Sequence, residues 1–137
     1  MKILVIDDEP LVRRSLARAA RTLGHECLEA ADGDEGLRLW KAESPEAVFV
    51  DILMPGLSGP EVVREALRVY EGTSVPKPII ALISAFSGDD SKDSPVKLAA
   101  ECGADLFIGK PFDDIFEVVK SVVRRVSERV VGPGKES

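Results

Sequence analysis

Apolar residues along this chain fall into short unbroken runs and longer periodic stretches, and the two kinds alternate. Ile3 to Ile6, Ala47 to Val50 and Ile79 to Ile83 are continuous apolar runs rich in branched side chains. Runs this short predict strands covered on both faces. Leu106 to Ile108 predicts a shorter strand, and Glu26 to Ala30 a mixed, more peripheral one. Between them, Leu16, Ala19, Ala20 and Leu23 recur at the spacing of one helix face, as do Val63, Ala66, Leu67 and Tyr70. The longest stripe joins Phe112, Ile115, Phe116, Val119, Val123 and Val126. It predicts a last helix opened by Pro111, since proline is tolerated in a first turn. Asp34 to Lys41, burying Leu37 and Trp40, and Pro95 to Cys102 predict two more helices.

Five alternations of strand and helix predict right-handed βαβ units, hence an α/β fold with a doubly wound, five-stranded parallel sheet and helices on both faces. Such sheets bind ligands beyond the carboxyl ends of their strands. The chain has 137 residues, the size of one domain. We expect that domain to span 1–131, with 132–137, which carry Gly132, Pro133 and Gly134, as a flexible tail or truncated linker. The polar stretch Ser87 to Pro95 is expected to be disordered or to take several conformations, and Glu71 to Lys77 is a second long connection.

Charge narrows the field of partners. With 18 basic and 24 acidic residues the net charge is −6, and no basic run exceeds a pair, which argues against direct nucleic acid binding by this chain. Cys27 and Cys102 lack metal-ligand spacing and read as buried thiols of a reducing compartment. The first apolar run ends in two aspartates, too short for a signal-peptide core. No stretch approaches the ~20 apolar residues of a membrane span. A cytoplasmic chain without a membrane role is the expectation.

Candidate chemistry follows from what stands after each strand: Asp7 and Asp8 after the first, Asp51 after the third, Ser84 after the fourth, Lys110 after the fifth. All belong on one edge of the sheet. If the first and third strands are neighbours, three carboxylates converge there, and their mutual repulsion calls for a hard divalent cation, Mg²⁺ best. A lysine and a small hydroxyl residue opposite supply the positive charge and the donor that a phosphoryl group needs. Aspartate is itself a competent phosphoryl acceptor. Singly, each residue has a plainer role: Asp7 or Asp8 as a helix cap, Asp51 and Ser84 as turn residues, Lys110 as a surface charge. Their joint placement favours phosphoryl transfer to a carboxylate. His25 reads as a surface residue, Trp40 as helix-to-sheet packing and Cys102 as core.

The segments ILVIDDEP, VFVDILMPGLSG, IIALISA and GADLFIGKPF, in this order, resemble the receiver domain of bacterial two-component response regulators, chemotaxis-type single receivers included. The resemblance runs from Lys2 to about Val126. It implies a flavodoxin-like receiver fold with strand order 2-1-3-4-5 and five helices. It makes Asp51 the phosphoacceptor, and Asp7, Asp8, Asp51 and the backbone carbonyl of Leu53 the Mg²⁺ ligands. Lys110 would contact the phosphoryl group, with a cis Lys110-Pro111 bond, and Ser84 would swing in to meet it. Phe107 stands at the aromatic switch position, where a tyrosine is frequent in the family, so its inward rotation would be a packing event. Leu53 and Phe86 are apolar where relatives often carry polar groups, implying a long-lived acyl phosphate. The implied partners are a sensor histidine kinase or phosphotransfer protein as donor and a downstream protein or output domain; a dimer formed on phosphorylation is compatible with it. Ser87 to Pro95 would border the phosphorylation-sensitive surface. The implied role is a signalling switch that catalyses only its own aspartyl phosphorylation and dephosphorylation. Two alternatives are a phosphorylation-independent adaptor with the same fold and a haloacid-dehalogenase-like phosphatase. The second is disfavoured because Asp51-Ile52-Leu53 lacks the aspartate two positions on that serves there as general acid.

Overall fold

Each continuous apolar run forms a strand, because only a strand buried on both faces can hide every side chain of such a run. The computed structural model describes residues 1–85 and 95–135, with 95, 96 and 130–135 described by backbone alone. The strands are β1 (Lys2–Ile6), β2 (Glu26–Ala30), β3 (Ala47–Asp51), β4 (Ile79–Ser84) and β5 (Leu106–Gly109). They form one parallel sheet in the order β2-β1-β3-β4-β5. The helices are α1 (Pro10–Thr22), α2 (Gly33–Glu43), α3 (Gly59–Leu67), α4 (Pro95–Cys102) and α5 (Ile115–Lys135), with a 3-10 turn Arg68–Tyr70 after α3.

The sheet divides the core in two. Ile3, Val5, Phe49, Ala81 and Ile83 face α1 and α5, whose Leu16, Ala20, Val119 and Val122 complete one cluster. Leu4, Ile6, Val48, Val50 and Leu82 face the opposite way, onto Trp40 of α2, Val62, Val63 and Ala66 of α3, and Ala99 of α4. Full burial of each large aliphatic side chain is worth about 1.5–3 kcal/mol, so both layers hold the sheet edge in place. Trp40 is buried helix-to-sheet packing, as its position predicts, and its indole donates to the Tyr70 hydroxyl at 3.3 Å. Both cysteines are free and buried.

The starts of α2, α3 and α5 follow the side chains that satisfy their first N–H groups. Asp32 accepts from Glu35 N ahead of α2, and Ser58 with Glu61 forms a reciprocal capping box on α3. The last helix corrects the expected start: Pro111 and Phe112 lie outside it, and α5 begins at Ile115. Asp114 Oδ1 accepts from Phe116 N and Glu117 N, so the cap stands three residues beyond Pro111. Phe112 still packs on the α1/α5 cluster, but from the connection. The helical backbone of α5 continues past Gly132 and Pro133, where composition alone places the end of the domain. The expectations for Phe86 and for the stretch Ser87 to Ser94 lie outside the described residues.

Candidate functional site

Parallel pairing sets the carboxyl ends of β1, β3, β4 and β5 side by side. Ile6 pairs with Val50, Asp51 with Ile83, and Ser84 with Gly109. The residues that follow these ends therefore meet on one edge, as the sequence expects.

Asp7 is fully buried, and each of its polar groups has a partner. Its N–H donates to Ala30 O at 3.1 Å, continuing the β1–β2 ladder. Its Oδ1 accepts from Glu9 N at 2.9 Å, ahead of Pro10 in the first turn of α1. Its Oδ2 lies 3.2 Å from Lys110 Nζ, and its main-chain carbonyl accepts from Arg13 at 3.0 Å. Asp8 is exposed. Asp51 closes β3 with 4% exposure. One carboxylate oxygen each of Asp7, Asp8 and Asp51 lies within 4.8 Å of the other two.

Gly59 fixes the other side of Asp51. Its N–H donates to Ile52 O at 3.0 Å, folding the β3–α3 connection back on the strand end. A Cβ at this position would stand 2.3 Å from Asp51 O and 3.0 Å from Ile52 Cα, so only glycine lets α3 start this close.

Lys110 brings the opposite charge. Its backbone N–H donates to Ser84 O at 2.7 Å, tying the β5 exit to the end of β4. Its ammonium lies 2.6 Å from Glu9 Oε1, 3.2 Å from Asp7 Oδ2 and 3.5 Å from Asp51 Oδ2. The Lys110-Pro111 bond is cis. Ser84 is buried at the end of β4, with 8% exposure. Phe107 stands farther back on β5, opposite Leu82, and packs on the α2–α4 side of the sheet. Leu53 follows β3 and is 75% exposed; with an apolar side chain, it offers the site only its backbone.

These charges shape one another. Burial pushes the Asp51 carboxyl up to about 7, the negative charges of Asp7 and Asp8 add to the rise, and Lys110 offsets only part of it. For Lys110, burial pulls the ammonium down, but the hydrogen bond to Glu9 and the charges of Asp7 and Asp51 outweigh it and hold its pKa above the ordinary value. Three converging carboxylates with one lysine leave negative charge uncompensated. That donor set, all hard oxygens, fits a divalent cation such as Mg²⁺. Without the cation, the folded state keeps a proton on Asp51 across a range where the unfolded chain, near 3.8, has lost it. The associated stability is present below about pH 4 and is lost as pH rises through about 7. In metal-free buffer, Asp51→Asn should therefore raise Tm more at about pH 8 than at about pH 5. Thermal melts at both pH values check this, and a gain independent of pH contradicts the assignment.

Two residues here escape a reading of strand ends. Glu9 looks like a helix opener, yet it holds Lys110; Arg13 lies one turn into α1, yet reaches back to Asp7. Their signal is helical spacing from the acidic pair and not position after a strand.

A family model described as response regulator receiver domain matches residues 3–122. A probable transcriptional regulator, ycf27, from Porphyridium aerugineum is 39% identical over 129 residues, 93% of this chain and 50% of that protein. The chain thus spans about half the length of this curated relative. Among solved structures, the CheY-like response regulator receiver domain protein of Methanospirillum hungatei JF-1 superposes with a TM-score of 0.78 at 23% identity, covering 99% of this chain and 98% of its own. The response regulator TrrA of Thermotoga maritima, solved in complex with Mg²⁺ and BeF, gives a TM-score of 0.71 at 30% identity, covering 91% of this chain and 97% of its own.

Proposed function

The chain belongs to the response regulator receiver domain family, a family of signalling switches, and from that premise we propose that Asp51 accepts a phosphoryl group in a Mg²⁺-dependent reaction. The observation that carries the reading is the Lys110 ammonium 3.5 Å from the Asp51 carboxylate, inside a set of three converging carboxylates. An Asp51 oxygen attacks the phosphorus of the donor. The bond from phosphorus to the donor's histidine nitrogen breaks, and the acyl phosphate remains on Asp51. Lys110 favours the ionised form of Asp51 that this attack needs, and exchanges its contacts with Glu9 and Asp7 for the incoming phosphoryl oxygens. The Ser84 hydroxyl donates to another of those oxygens. Asp7, Asp8, Asp51 and the Leu53 carbonyl hold Mg²⁺, which supplies positive charge against the carboxylates and the phosphoryl group.

The donor is the phosphohistidine of a sensor kinase or phosphotransfer protein. A groove of about 430 Å³ lined by Leu11, Val12, Phe112 and Ile115 opens onto Lys110 and gives such a partner a place beside the acceptor. Rearrangement around Ser84 and Phe107 then shifts the population of a partner-binding face toward its active form. The curated relative's name supports a transcriptional output domain as the recipient of that shift. No helix of the described residues is long and apolar enough to cross a membrane.

Incubation with acetyl phosphate and Mg²⁺ should add the mass of one phosphoryl group, and no mass should be added when Mg²⁺ is removed with chelator before the donor is supplied. An unmodified chain favours the adaptor reading, and turnover of a free phosphomonoester favours the phosphatase.

A further inference from the structure

Beyond the carboxylates themselves, the loop Asp7 to Glu9 has one side-chain anchor from the α1 helix. Arg13 donates from its guanidinium to the main-chain carbonyl of Asp7 at 3.0 Å, while its own backbone N–H closes the first helical turn on Glu9 O at 3.0 Å. The Asp7 carbonyl lies just beyond β1, where the strand ladder has run out, and without Arg13 it would have to find another donor. That carbonyl shares a rigid plane with the Asp8 N–H and Cα, so fixing its direction fixes where the Asp8 Cα stands and leaves only the torsion at Asp8 itself to aim the side chain. Arg13 is in turn held. Its Nε lies 3.4 Å from Glu29 Oε1 on the edge strand β2, and the other Glu29 oxygen lies 3.3 Å from Arg21. Arg21 also donates to Cys27 O at 2.8 Å, so Glu29 is a junction of two arginines over a strand whose Val5–Glu29 and Ile6–Ala30 register leads directly to Asp7. The Arg13 side chain is mostly covered, with 13% exposure.

We infer that Arg13, oriented by Glu29, is a positioning residue for Asp8, and that the pair sets the affinity of the acidic site for Mg²⁺. This rests on the reading of Asp7, Asp8 and Asp51 as a Mg²⁺ site. A group that only orients ligands changes cation affinity, commonly ten- to a hundredfold in metal sites, and leaves the chemistry at saturating cation nearly intact. A group that only supports the fold lowers Tm and leaves affinity alone.

The test titrates Mg²⁺ into the whole chain by calorimetry, for the unsubstituted protein and for Arg13→Ala, Arg13→Lys and Glu29→Gln, with metal-free melts alongside. The acetyl phosphate reaction is then followed against Mg²⁺ concentration. Arg13→Ala should weaken Mg²⁺ binding about tenfold and raise the half-saturating Mg²⁺ to match, with the rate at saturation within about threefold. Arg13→Lys, which keeps a cationic donor, should recover part of the affinity. Glu29→Gln, nearly isosteric and the milder change for folding, should shift affinity in the same direction by a smaller factor. Unchanged Mg²⁺ affinity in folded Arg13→Ala or Glu29→Gln overturns the inference while leaving the phosphoacceptor reading intact. Absence of Mg²⁺ binding by the unsubstituted chain overturns both.

Discussion

The Asp51→Asn chain takes up no phosphoryl group from acetyl phosphate and Mg²⁺ under conditions where the unsubstituted chain gains one. An amide oxygen carries no anionic lone pair, so the covalent step has no nucleophile. The substitution keeps the size and planarity of the side chain, and it removes a buried charge that Asp7 and Asp8 repel. Loss of modification therefore cannot be put down to a collapsed fold: the variant should melt no lower than the unsubstituted chain above about pH 7. Intact mass before and after incubation reads the result. Modification persisting at the original level would place the acceptor elsewhere.

The second large effect is expected at a residue without a functional group. Gly59→Ala places a methyl 2.3 Å from Asp51 O and 3.0 Å from Asp51 C and Ile52 Cα. All three contacts are main chain, so no rotamer change relieves them. Either α3 backs away and gives up the hydrogen bond from Gly59 N to Ile52 O, or the end of β3 shifts and carries Asp51 with it. Overpacking of this kind costs about 1–3 kcal/mol, and backbone contacts put this site toward the upper end. Urea unfolding should show a lower midpoint with an unchanged slope, and phosphorylation should slow even where the variant is fully folded. A variant with unaltered midpoint and rate would mean that the connection accommodates the methyl without strain.

The parts legible in the sequence are those governed by burial. Runs such as Val48 to Val50 hide every side chain best as strands covered on both faces, so the strands follow from the apolar pattern, whereas their order in the sheet was legible through the family resemblance. The parts that escaped depend on a single polar group. Phe112 fits the apolar stripe of α5, yet Asp114 captures the first free N–H groups and starts the helix later. Glu9 and Arg13 look like ordinary members of an amphipathic helix; what they do is fixed by where Lys110 and Asp7 stand, and Lys110 is 101 residues away from Glu9. The cis Lys110-Pro111 bond was legible only through family resemblance, since proline by itself permits either isomer. Gly59 reads as loop composition until the distance to Asp51 is measured.

Trp40, the sole tryptophan, has its indole N–H on the Tyr70 hydroxyl and lies in the α2/α3 layer, toward the end of α2 whose last residue, Glu43, pairs with Lys2 at the start of β1. The carboxylates cluster at the opposite ends of the strands. The protein thus carries an optical probe that senses the integrity of its helical layer and stands apart from the seat of the chemistry. Emission from that indole reports whether a variant is folded, and mass reports whether it is loaded, so the same sample separates a lost reaction from a lost structure.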